Sequence, residues 1–147
     1  MLKTILAAGA VAGLVAVAGQ AGAAEIQVKM LNKGAQGAMV FEPAQATLKP
    51  GDTVRFLPTD KGHNVETIKE MLPPGAELVK SPLSQEIVVK FAKPGVYGFK
   101  CTPHWGFGMA FVAKVGQPVN LATAEAAIAK TPPMAKKRLT ASFAALK

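Results

Sequence analysis

A single cysteine in 147 residues is the most restrictive shortage in this sequence. It excludes an intramolecular disulfide and every zinc or iron–sulfur site that needs two or more thiolates from one chain. One tryptophan and one tyrosine leave little material for stacking on exposed bases, which argues against a platform for single-stranded nucleic acid. Acidic side chains are also scarce, 9 against 17 Lys and Arg, for a formal charge of +8. Such a balance suits an acidic partner surface without identifying it. Beyond residue 23 no apolar run is long enough to cross a bilayer. The length suits one domain.

What is there begins with an export signal. Lys3 supplies a positive start, Thr4 to Val17 is almost wholly Ala, Val, Leu, Ile and Gly, and Ala21-Gly22-Ala23 ends the stretch in small residues. That order is the signature of a secretory signal peptide. Gly9, Gly13 and Gly19 and the short apolar core weigh against a spanning anchor, and no Arg-Arg pair marks the twin-arginine route. Cleavage is expected after Ala23. Residues 1–23 are then the leader, and residues 24–147 form a soluble extracytoplasmic domain with no membrane anchor.

The remainder reads as strands followed by a helical tail. Ile26, Val28 and Met30 alternate with polar residues, as do Val54 and Phe56 around Arg55, and Ile87, Val89 and Phe91 repeat the pattern with Lys90 facing out. This is the period of a strand with one buried face. Val96 to Lys100 and Ala110 to Val115 are further strand candidates. Pro and Gly turn signals fall between them, at Lys49-Pro50-Gly51-Asp52, Asp60-Lys61-Gly62, Pro73-Pro74-Gly75 and Lys93-Pro94-Gly95. The pattern predicts an all-β sandwich or barrel over residues 24–120. From Leu121 the composition turns to Ala. Thr131-Pro132-Pro133 separates two helical segments, and Leu139, Phe143 and Leu146 form one apolar stripe in the second. The tail, residues 121–147, carries five basic side chains, read as a solvated face of helices docked on the sandwich rather than a nucleic-acid patch.

The chemistry is concentrated in Cys101-Thr102-Pro103-His104-Trp105-Gly106-Phe107-Gly108-Met109. A thiol, an imidazole and a thioether sit on one loop between two strand candidates, and Gly106 and Gly108 allow the chain to fold back. The second of the two histidines, His63, follows the Asp60-Lys61-Gly62 turn and could complete the set from a neighbouring loop. Taken singly, each residue has an ordinary structural reading: a buried small hydrophobe, a solvated imidazole, a core thioether. Taken together in an exported protein, where a free thiol is a liability, they give His2Cys with a methionine beside it. Two imidazoles, a thiolate and a long axial thioether are the donor set of blue copper. Zinc also accepts His2Cys, but a catalytic zinc keeps an open position for water. Two rivals stay open here, a copper carrier without redox traffic and a Cys–His hydrolase.

At these residues the chain resembles the cupredoxin family, and within it the pseudoazurins. The resemblance rests on Glu25-Ile26-Gln27-Val28-Lys29-Met30-Leu31-Asn32, on Met39-Val40-Phe41-Glu42-Pro43, on Gly62-His63-Asn64-Val65, on Cys101-Thr102-Pro103-His104 and on the two-helix extension. It implies an eight-stranded Greek-key sandwich holding one copper ion, with His63, Cys101, His104 and Met109 as ligands. It implies a one-electron carrier of the periplasm and not an enzyme, expected to be monomeric and to donate to a reductase such as copper nitrite reductase. Asn64 would tie the two ligand loops together and offer its N–H to the cysteine sulfur, Thr102 would lie beside the ligands, and Pro103 lacks an N–H to donate to that sulfur. The His104 edge would reach the surface through an apolar patch of Met39, Pro58, Pro103 and Phe107, ringed by Lys33, Lys61, Lys80 and Lys100. The chain departs from the family's usual Tyr, Ala and Met at Trp105, Gly106 and Phe107, none of them a ligand position.

Overall fold

The computed structural model describes residues 22–147, so the greater part of the expected leader lies outside the described residues. Among the described residues eight strands form two four-stranded sheets. In chain order the strands are β1 (Glu25–Gly34), β2 (Gly37–Glu42), β3 (Gln45–Leu48), β4 (Thr53–Leu57), β5 (Glu66–Thr67), β6 (Ile87–Lys90), β7 (Gly95–Lys100) and β8 (Ala110–Val115). One sheet runs β2-β1-β4-β6 and the other β3-β8-β7-β5. β1 pairs with β4, and β3 with β8, in parallel; the remaining neighbours are antiparallel. Two helices follow, α1 (Leu121–Ala127), which tightens into a 3-10 turn at Ile128–Lys130, and α2 (Pro133–Ala145).

The alternation in β1 and β4 has the expected cause. Val28, Met30, Val54 and Phe56 point into the space between the sheets and are fully buried. There they meet Phe41, Phe91, Phe99 and Phe111, whose rings pack mainly edge to face: Phe56 lies 5.7 Å from Phe41 and 5.4 Å from Phe111, at interplanar angles of 73° and 90°. Such pairs add about 0.5–1.5 kcal/mol each beyond the area they bury. Cys101 and Met109 belong to the same cluster, so the core ends at the ligand loop.

β7 and β8 do not alternate, because both of their faces are covered. Their outer face packs against a second cluster in which Ala124, Ile128, Ala135, Leu139, Phe143 and Leu146 of the helical segment meet Val96, Ala110 and Val112. The apolar stripe foreseen in the tail is the docking face of α2. Gly98 of β7 permits the 3-10 turn at Lys69–Met71 to lie directly on the strand: a Cβ there would come within 2.7 Å of the Met71 side chain. Asn120, just before α1, is bonded to the Val96 backbone as a neighbouring strand would be, Oδ1 accepting its N–H at 2.7 Å and Nδ2 donating to its carbonyl at 2.9 Å. At the amino end Asp52 fixes the start of β1. Its Oδ1 accepts the Ala24 N–H and its Oδ2 the Lys49 N–H, both at 2.8 Å.

Candidate metal centre

Three donor atoms converge at one end of the sandwich. His63 comes from the loop after β4, and Cys101 and His104 from the loop joining β7 to β8. Their ligating atoms all lie within 4.8 Å of one another, among the described residues the one cluster of three or more His, Cys, Asp or Glu side chains so placed. The two Nδ1 atoms are 3.1 Å apart, and Cys101 Sγ lies 3.8 Å from that of His63 and 3.4 Å from that of His104. Local folding explains the approach. Residues Thr102–Phe107 wind as 3-10 turns with Pro103 at their start, and Gly108 closes them at φ 77°. The loop is then pinned to itself, Cys101 N–H to the Met109 carbonyl at 3.0 Å and Met109 N–H to the His104 carbonyl at 3.3 Å. A Cβ on Gly108 would meet the Met134 carbonyl carbon at 2.7 Å, so α2 backs the loop directly.

The hydrogen bond outside the cluster leaves a lone pair of His63 facing inward. His63 is fully buried, and its Nε2–H donates to Asn32 Oδ1 at 2.9 Å, which leaves Nδ1 bare. Burial, and then the neighbouring His104, hold the His63 imidazolium below its ordinary range, so the ring stays neutral. Burial pushes the Cys101 thiol up, with the Asn64 and His104 N–H groups working against it. Two imidazole Nδ1 atoms 3.1 Å apart beside a buried thiol, with no carboxylate among them, form a donor set that a cation completes. Two borderline nitrogens and one soft sulfur suit copper in both of its common oxidation states.

The chain matches the family model of copper-binding proteins described as the plastocyanin/azurin family over residues 28–116. It belongs to that family.

Within it, the cupredoxin is 55% identical over 116 residues to the pseudoazurin of Methylorubrum extorquens, covering 79% of this chain and 78% of that protein. It is 49% identical over 138 residues to the pseudoazurin of Paracoccus pantotrophus, covering 93% and 94% of the two. The crystal structure of pseudoazurin from Methylobacterium extorquens AM1 superposes with a TM-score of 0.81 at 53% identity, covering 84% of this chain and 99% of that one. The eight-stranded cupredoxin sandwich with its C-terminal helices is therefore the fold, and copper is the metal this family binds. The chain is an electron-transferring copper protein of the pseudoazurin kind and not an enzyme.

Around the donors, the other expected residues fall as follows. Asn64 donates its N–H to Cys101 Sγ at 3.5 Å, its Nδ2 donates to Thr102 Oγ1 at 3.1 Å, and its Oδ1 accepts the Thr102 N–H at 2.7 Å. Met109 is fully buried at the end of the core. His104 is half-buried, its ring 6.1 Å from that of Phe107, which is exposed, as is Pro103. Met39 packs against the cluster containing Cys101 and Met109, and Pro58 is half-buried. Lys33 and Lys61 are exposed, and each follows one partner of the contact between the Asn32 N–H and Asp60 Oδ2, 2.7 Å long. Lys80 and Lys100 are placed differently from Lys33 and Lys61. Their ammonium groups lie 4.0 and 3.9 Å from the Glu66 carboxylate, and Lys100 also sits over the Trp105 ring at 5.8 Å. The space above Gly106 is open, so the alanine usual in the family would fit there. Sequence reasoning missed Asn32, Glu66 and the Ser81 carbonyl that accepts from Asn64 Nδ2 at 3.4 Å. A polar residue 31 positions before its histidine gives no spacing signal.

Proposed function

We propose that this cupredoxin is an exported, periplasmic one-electron carrier that binds copper through His63 Nδ1, His104 Nδ1 and Cys101 Sγ, with the Met109 thioether as a weak axial donor. The convergence of the three donor atoms carries this reading. Bound there, copper supplies a one-electron Cu(II)/Cu(I) couple. The chain's own part is to hold the donors in one arrangement for both oxidation states and to keep water from the sulfur. Burial of His63 and Cys101 does the second. The first falls to the Asn32 and Asn64 hydrogen bonds and to the packing of α2 behind Gly108.

His104 is the ligand nearest solvent, and it opens on a face where Phe107 and Pro103 are exposed and Met39 and Pro58 half-covered. A small apolar centre with a basic rim suits a brief encounter, with charge steering approach and limited area permitting release. The partner that fits is an acidic face on another redox protein of the same compartment, such as copper nitrite reductase. The amino-terminal leader read in residues 1–23 supports the periplasmic location.

The deciding experiment is an optical and EPR spectrum of the copper-loaded protein with and without Cys101→Ala. An intense visible charge-transfer band in the wild type, lost in the variant, supports the reading. A colourless wild type overturns it.

A further inference from the structure

Glu66 opens β5 three residues after His63, touches none of the donor atoms, and yet terminates the hydrogen-bond chain that reaches the sulfur. Thr102 Oγ1 donates to Glu66 Oε2 at 2.5 Å. An ionised carboxylate only accepts, so the hydroxyl proton is committed to Glu66 and the hydroxyl lone pairs face the other way. Asn64 Nδ2 donates to one of them at 3.1 Å, which turns Asn64 Oδ1 toward the Thr102 N–H at 2.7 Å. The backbone N–H of the same Asn64 meets Cys101 Sγ at 3.5 Å. Asn64 thus donates in two directions, through its amide and the Thr102 hydroxyl toward the carboxylate and through its backbone N–H toward the sulfur.

The carboxylate is itself restrained. Its side chain is 22% exposed and lies 3.9 Å from Lys100 Nζ and 4.0 Å from Lys80 Nζ. The Thr102 hydroxyl, and after it these lysines, hold the Glu66 carboxyl below the usual carboxylate range, so it is ionised at neutral pH.

We infer that Glu66 is a positioning residue of the copper site: it fixes the Thr102 hydroxyl, through that the Asn64 amide, and through that the N–H presented to the Cys101 sulfur. The inference rests on the copper reading above. An N–H directed at the sulfur withdraws electron density and favours the reduced state, and hydrogen bonding at this atom tunes the potential. Loss of the positioning therefore lowers the potential, whereas loss of the negative charge alone raises it.

Two variants separate these effects. Glu66→Gln removes the charge and keeps an oxygen acceptor for Thr102; Glu66→Ala removes both. Voltammetry of the copper-loaded proteins is expected to place the alanine variant below the glutamine variant, by a several-fold change in the redox equilibrium constant. Tenfold corresponds to about 59 mV for one electron. Amide exchange at Asn64, followed by NMR in the metal-free protein, is expected to accelerate in the alanine variant and to stay near wild type in the glutamine variant. Equal potentials and equal exchange in the two variants overturn the role of Glu66. A wild type without the charge-transfer band overturns the copper reading instead, and Asn64 exchange in the metal-free protein then still decides for or against Glu66.

Discussion

Asn32 Oδ1, 2.9 Å from His63 Nε2, decides which nitrogen of that ring carries the proton. Nε2 donates and Nδ1 keeps its lone pair for the cluster, so the ring is held in the tautomer and orientation that a metal needs. Asn32→Ala removes this control while leaving all three donors in place. Copper affinity is expected to fall about 10–100-fold, the usual effect of losing a histidine's outer partner, measured by competition with a chelator. The donors were legible in the sequence because their types are rare: two histidines and one cysteine in the whole chain leave few ways to assemble a site. Asn32 and Glu66 were not legible, because asparagine and glutamate are ordinary surface residues. Their contacts, 31 and 36 positions apart in sequence, exist only once β1 lies beside β4 and β5 beside β7.

At the scale of elements, α2 and the ligand loop act as one body. Gly108 sits at φ 77°, and any Cβ there meets the Met134 backbone rather than the end of a flexible side chain. Gly108→Ala therefore combines backbone strain with displacement of the helix, and is expected to cost about 1–3 kcal/mol in denaturant unfolding. Gly106→Ala is the internal control, since nothing lies within 4 Å of a Cβ at that position. It is expected to stay within about 0.5 kcal/mol of wild type. Strands with one solvated face announced themselves by alternation, as β1 and β4 do. β7 and β8 show no alternation, since the cover of α1 and α2 on one side and the core on the other leaves them no polar face, and the Lys93-Pro94-Gly95 turn marks only where β7 starts. β5, two residues long, carries too short a pattern to read. The break between the helices was plain, because Thr131-Pro132-Pro133 ends one and Pro133 is well suited to begin the next.

Across the whole molecule the +8 charge is less informative than its distribution. Lys80 and Lys100 face Glu66, so part of their field is cancelled before it reaches a partner, while no acidic group lies in salt-bridge range of Lys33 or Lys61 among the described residues. Electron transfer to an acidic redox protein is expected to slow as ionic strength rises. Lys33→Ala or Lys61→Ala is expected to flatten that dependence more than Lys80→Ala, in stopped-flow rates measured from low to physiological salt.

Asp52 is the remaining anchor, and its two backbone contacts have an acid-side signature. The Lys49 N–H and then the Ala24 N–H hold its carboxyl below the usual range. A carboxyl depressed by folding adds stability above its unfolded pKa and loses it as pH falls through the folded value. Asp52→Asn is expected to destabilise the protein near neutrality and to flatten its acid unfolding profile, followed by thermal melts across pH. The same contact gives the expected cut after Ala23 a thermodynamic meaning. In the precursor, Ala24 offers Asp52 an uncharged amide at 2.8 Å; in a chain released at that bond, the same nitrogen is an ammonium facing a carboxylate. Cleavage there would then tighten the fold, and a chain begun one residue early, at Ala23, would melt below one begun at Ala24.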